Sequence, residues 1–179
     1  MITRTLSLLL LLAASLGAQA PAKKPGAPAT VMGDMRKLWL QSTDYLVRSA
    51  AAVPDSTYAF QPTPAVRTFG QIIGHVAGSQ RMFCALALGE KAPAEDEIEK
   101  THTTKASLVQ ALKESNDFCT KAYGQSDAAA GTKTVAFGET QSRRSVLMLN
   151  TTHNFEHYGN VITYMRMKGM VPPSSQPAQ

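Results

Sequence analysis

Three histidines carry the chemistry that this sequence could do. His153 and His157 stand four residues apart in "LNTTHNFEHYGNVITYMRMKG", residues 149–169, and His75 lies far upstream in "GQIIGHVAGSQ". Neutral imidazole is a ligand for zinc, nickel, copper and iron. Histidines at i and i+4 of a helix share a face and can reach one ion, with a third ligand from another helix. The spacing alone leaves two readings open: metal ligands, or polar residues that fall on a helix surface. A proton acceptor would complete a catalytic site, and Glu156, between the two histidines, is a candidate for that role.

A helical wheel asks where these residues point. With His153 at zero and about 100° per residue, His157 falls near 40°, Val146 and Tyr164 near 20°, Asn160 near −20°, and Leu149 and Met167 near −40°. Apolar residues thus flank the histidines, and this face is expected to be the buried one. Glu156, near −60°, marks its edge, and Arg166 faces outward. On the upstream helix Met82 and Leu86 fall within about 20° of His75, so His75 also points inward. His102, in a charged connection, is expected to be exposed. Met148, Phe155 and Ile162 form a second apolar line opposite His153. It suits a neighbouring helix of the same bundle or, alternatively, a homodimer seam.

Four long segments with helical periodicity must position these residues. They span about 31–52, 68–88, 105–123 and 142–168, with Thr68 and Gln71 set to form a capping box and Gly89, Gly124 and Gly169 set to end helices. "KTVAF" is the one short strand candidate. The expected fold class is all-α, a four-helix bundle with long crossover loops.

The ends read differently. Residues 1–20, "MITRTLSLLLLLAASLGAQA", have Arg4, an apolar run and a closing Ala-Gln-Ala, the pattern of a cleaved signal peptide. Residues 21–30 read as a disordered linker, 31–171 as the folded unit and 172–179 as a disordered tail. The expected location is exported, periplasmic or extracellular, with no stable membrane insertion once the signal is removed. Cleavage removes only Arg4 among charged residues, taking the net charge from +5 to +4. Lysines and arginines are scattered and carry no nucleic-acid footprint. In an oxidising compartment Cys84 and Cys119 could pair or could equally be two small buried residues; sequence does not decide.

"RTFGQIIGHVAGSQRMFC", followed by "LNTTHNFEHYGNVITYMRMKGMVPP", resembles the DinB-like superfamily, the DinB/YfiT group, over about residues 31–173. The resemblance implies a four-helix bundle with a three-histidine metal site, its ligands being His75, His153 and His157. Relatives include transferases and isomerases that use low-molecular-weight thiols such as mycothiol or bacillithiol, and metal-dependent hydrolases. The implied cofactor is a divalent metal ion (zinc, nickel or iron), and the implied partner a small-molecule substrate. The expected function is a metal-dependent hydrolase or transferase; the alternative is a non-catalytic metal- or ligand-binding protein. Export departs from the thiol-dependent relatives, because such thiols are chiefly cytosolic.

Overall fold

The computed structural model describes residues 29–177, so the expected signal peptide and most of the linker lie outside the described residues. Four long helices dominate: α1 (Val31–Ala52), α2 (Phe69–Leu88), α4 (Lys105–Tyr123) and α6 (Arg143–Met167). Two short helices, α3 (Glu97–Thr101) and α5 (Asp127–Ala130), and a hairpin of β1 (Lys133–Ala136) and β2 (Glu139–Ser142) occupy the connections.

Local chemistry fixes the ends. Thr30 caps α1 through Gly33 N–H, and Asp127 accepts from the free amides of Val31 and Met32 at 3.1 and 2.8 Å. Thr68 and Gln71 form the reciprocal capping box of α2, and Ser142 caps α6 directly from β2. Gly89 ends α2 in the left-handed conformation that glycine adopts without strain.

The bundle runs up-down-down-up. α1 and α2 each pack on both α4 and α6, which leaves α1 diagonal to α2. Gln80 and Cys84 meet Asn116 and Cys119 in rising order, so α2 and α4 are parallel. His75 and Gln80 meet His157 and Asn154 in falling order, so α2 and α6 are antiparallel. Trp39 stacks on Tyr123 and Tyr45 on Tyr158, which sets α1 against α4 and along α6. Parallel neighbours need a connection as long as the bundle. The chain between α2 and α4 is that connection, and α3 forms within it.

Two apolar clusters fill the bundle. Leu46, Phe69, Ile73, Leu112, Val161 and Met165 belong to one, and Trp39, Phe83, Tyr123, Val146 and Leu147 to the other. A buried polar layer joins all four helices. Gln80 Oε1 accepts from Trp39 Nε1 at 2.9 Å and from Asn154 Nδ2 at 3.1 Å, and Gln80 Nε2 donates to Asn116 Oδ1 at 2.7 Å. Tyr123 OH donates to Leu147 O at 2.8 Å and accepts from Asn150 Nδ2 at 3.1 Å. These bonds satisfy groups that would otherwise be costly to bury. Cys84 and Cys119 form a disulfide that ties α2 to α4 beside this layer.

Two expectations need correction. The buried stripe of α6 centres on Asn150, Asn154 and Val161, about 80° from His153, so Leu149 and Met167 are exposed. Leu147, Tyr158, Val161 and Met165, at about 80–140°, set that centre together with the two asparagines. Ile162 packs on the core and Phe155 is half-buried, while Met148 is exposed. Second, residues 172–177 lie against the bundle, not free as a tail. Pro172 and Pro173 are buried, Tyr158 OH donates to Ser174 Oγ, and Arg48 bonds Gln176. Proline loses little entropy on docking, which favours such a contact. The "KTVAF" strand candidate is borne out as β1, paired in a hairpin with the polar strand "ETQS".

Candidate metal centre

α2 and α6 bring the three histidines together. His75 Nε2 lies 3.1 Å from His153 Nε2, and His157 Nε2 lies 3.0 Å from His153 Nε2. One ring nitrogen from each residue falls within 4.8 Å of the other two. His75 and His157 are buried and His153 is half-buried, the most accessible of the three. The donor set fits a divalent ion. Two nitrogens bound tetrahedrally to zinc lie about 3.3 Å apart, so the two pairs at His153 need to open by only a few tenths of an ångström.

The electrostatics prepare the rings for the same role. Burial, and then the neighbouring His75, lower His153 to about 4; burial, and then His153, lower His157 to about 4. His75 is also lowered, by burial first and then by the Arg67 guanidinium. All three imidazoles are therefore neutral at pH 7, the form that binds metal. His75 Nδ1 and His153 Nδ1 are buried without hydrogen-bond partners, and His157 Nδ1 faces Asn160 Nδ2 at 3.5 Å.

Two carboxylates from the α2–α4 connection flank His75. Glu95 Oε1 is 3.7 Å from His75 Nε2 and accepts from Ser79 Oγ at 2.9 Å. Glu99 Oε2 is 3.8 Å from His75 Nδ1, and its carboxylate is held by Arg67 Nε at 3.1 and 3.2 Å. Tyr164 OH in turn donates to the Arg67 carbonyl at 2.8 Å. Carboxylates at a ligand's second nitrogen commonly fix ring orientation in metal sites. Glycines on α2 let this segment approach. A Cβ at Gly78 would collide with the Glu95 carbonyl, and one at Gly74 would sit 2.8 Å from Glu99 Cα.

Glu95, Glu99 and Arg67 were not singled out in the sequence. The signal that could have found them is Gly70, Gly74 and Gly78 at every fourth position, followed by the acidic run "EDEIE". Glu156 is exposed on α6; its charge acts on His153 and His157 but after burial and the neighbouring histidine. Asn160 is exposed and Arg166 bonds Ser175 on the outer surface. His102 is half-buried at the end of α3, with Nδ1 2.9 Å from Thr101 Oγ1, and takes no part in the cluster. A cavity of about 480 Å³ opens beside α3, lined by residues including Arg81, Glu97 and His102 but by none of the three clustered histidines.

Comparison with known proteins agrees with this architecture. A DinB-like protein from Bacillus cereus ATCC 10987 superposes with a TM-score of 0.69 at 17% identity, covering 80% of this chain and 96% of that one. YfiT from Bacillus subtilis, described as a "probable metal-dependent hydrolase with an unusual four-helix bundle topology", matches with a TM-score of 0.62 at 14% identity, covering 83% and 94%. A mycothiol-dependent maleylpyruvate isomerase matches with a TM-score of 0.63 at 17% identity, covering 73% of this chain and 60% of the isomerase. No curated protein matches the sequence significantly. The model of the DinB superfamily matches residues 38–161, most of the folded unit. An all-α bundle of this topology, three convergent histidines and that match together make the chain a member of the DinB superfamily.

Proposed function

We propose that this protein is an exported metal-dependent enzyme, a hydrolase or a thiol-type transferase, acting on a small molecule. The observation that carries the reading is the convergence of His75, His153 and His157 Nε2 atoms from two helices. A divalent ion held by three neutral imidazoles would supply Lewis acidity and keep at least one position open, whereas structural zinc is closed by four protein ligands.

The chain's own residues supply the rest. Glu99, anchored by Arg67, lies 3.8 Å from His75 Nδ1, so a small approach would let it accept that N–H and orient the ring with Nε2 toward the other two histidines. Glu95 lies on the Nε2 side of His75, fixed by Ser79, and is placed to accept a proton from a substrate or water at the site. This geometry favours Glu95 over the exposed Glu156 for that role. The Cys84–Cys119 disulfide supports export, since such bridges persist in oxidising compartments. No helix among the described residues is long and apolar enough to cross a membrane.

The test is to purify the chain without residues 1–20, measure bound metal, and assay esters, amides and thiol conjugates with His153→Ala as control. Turnover that is lost in His153→Ala supports the enzyme. One ion per chain with no turnover of any class would favour a non-catalytic metal-binding protein.

A further inference from the structure

We propose that Phe137 is a specificity-determining residue of the histidine site, which takes a substrate whose metal-binding group carries an aromatic or bulky apolar substituent. This rests on the metal-dependent reading above.

Phe137 is at the tip of the β1–β2 hairpin, where Phe137 and Gly138 form a two-residue loop with φ of 56° and 80°. Positive φ at both positions is the pattern of a type I′ turn, which asparagine or glycine adopts readily. For a phenylalanine that backbone is strained. The strain has a direction: the ring sits edge-on to Phe83, centroids 5.6 Å apart, and Phe83 lies 5.6 Å from the His153 ring. Phe83 is buried, yet Phe137 is 55% exposed. A strained backbone that holds a large apolar ring in water, one aromatic ring removed from His153, is a feature of binding sites more than of cores.

The hairpin has other anchors. Thr134 Oγ1 donates to Leu86 O at 2.8 Å, and Ala136 is fully buried. On α6, Leu149 lies one turn before His153 and is 45% exposed, a further exposed apolar residue on the same helix as His153. Glu95, by contrast, lies by His75. The Phe83 and Phe137 rings extend from His153 toward solvent, while the Glu95 carboxylate lies near the Nε2 atoms, so the site suits a substrate whose polar metal-binding group carries an apolar substituent.

The experiment loads the mature chain with cobalt(II) and titrates it with benzohydroxamate and acetohydroxamate, following the visible spectrum. Phe137→Asn and Phe137→Gly remove the ring while keeping residues that suit the turn, and thermal melts confirm that each folds. The expected result is a wild-type preference for the aryl probe of about tenfold that falls severalfold in both variants, with acetohydroxamate binding unchanged. An equal aryl-to-alkyl ratio in wild type and variants would overturn the proposal. Failure of cobalt to bind at all would overturn the metal reading, and this inference with it.

Discussion

His75 Nε2 and His153 Nε2 lie 3.1 Å apart although 78 residues separate them in sequence. One N–H···N hydrogen bond could satisfy a single such pair, but the meeting of three ring nitrogens is what a shared divalent ion would use. His157 makes the same approach to His153 from one turn further along α6. The up-down-down-up order places α2 and α6 side by side, and the α2–α4 crossover lays two carboxylates over His75.

Glu99 should govern how tightly metal is held. Glu99→Gln keeps the shape but removes the charge facing His75 Nδ1. Metal affinity is expected to fall by about 10- to 100-fold, read by competition with a chromophoric chelator. Urea stability of the metal-free chain should change little, because the Arg67 partner is substantially exposed. Unchanged affinity would show that Glu99 does not orient the ring.

Metal-free protein should lose stability in acid. His153 and His157 have folded values near 4 against 6.5 for the free side chain. Between those values the unfolded chain binds more protons than the folded one, so stability is full above pH 6.5 and falls as pH drops toward 4. Bound metal blocks protonation of the rings and should shift this loss to lower pH. Thermal melts from pH 7.5 to 4, with chelator and with zinc, read the difference; coincident pH curves would contradict it.

The disulfide should be a major stabiliser. It closes a loop of 35 residues, which corresponds to about 4 kcal/mol of unfolded-state entropy in the chain-closure model. Cys84→Ala with Cys119→Ala should lower the urea midpoint accordingly. Metal affinity should be nearly unaffected, since neither cysteine belongs to the cluster.

Gly78→Ala should act at a distance through the backbone. The added methyl collides with the Glu95 carbonyl, so the 95–99 segment must move. The expected cost is about 1–3 kcal/mol in urea unfolding, together with weaker metal binding. Normal affinity in this variant would mean that the segment can shift without disturbing His75.

Much of this was legible in the sequence, because it depended on local signals. Periodicity and caps such as Thr68, Gln71 and Gly89 gave the helix bounds. The inward turn of His75 and the i, i+4 pair pointed to the three histidines that converge. The α6 stripe centres away from His153 because Leu147, Tyr158, Val161 and Met165 are buried on that side, along with Asn150 and Asn154, whose hydrogen-bond network hydropathy does not register. Glu95 and Glu99 escaped notice because a charged connection reads as solvated until the glycines beneath it are seen to admit its backbone. Phe137 escaped notice because the positive φ of a turn residue cannot be read from one aromatic in a short loop.

The central claim is that His75, His153 and His157 hold one divalent ion. Elemental analysis of the purified mature chain, compared with His75→Ala and His153→Ala, tests it most directly. The account predicts about one ion per wild-type chain after loading and dialysis, and substoichiometric metal in both variants. A wild-type chain that retains no metal, or variants that retain as much as wild type, would contradict it.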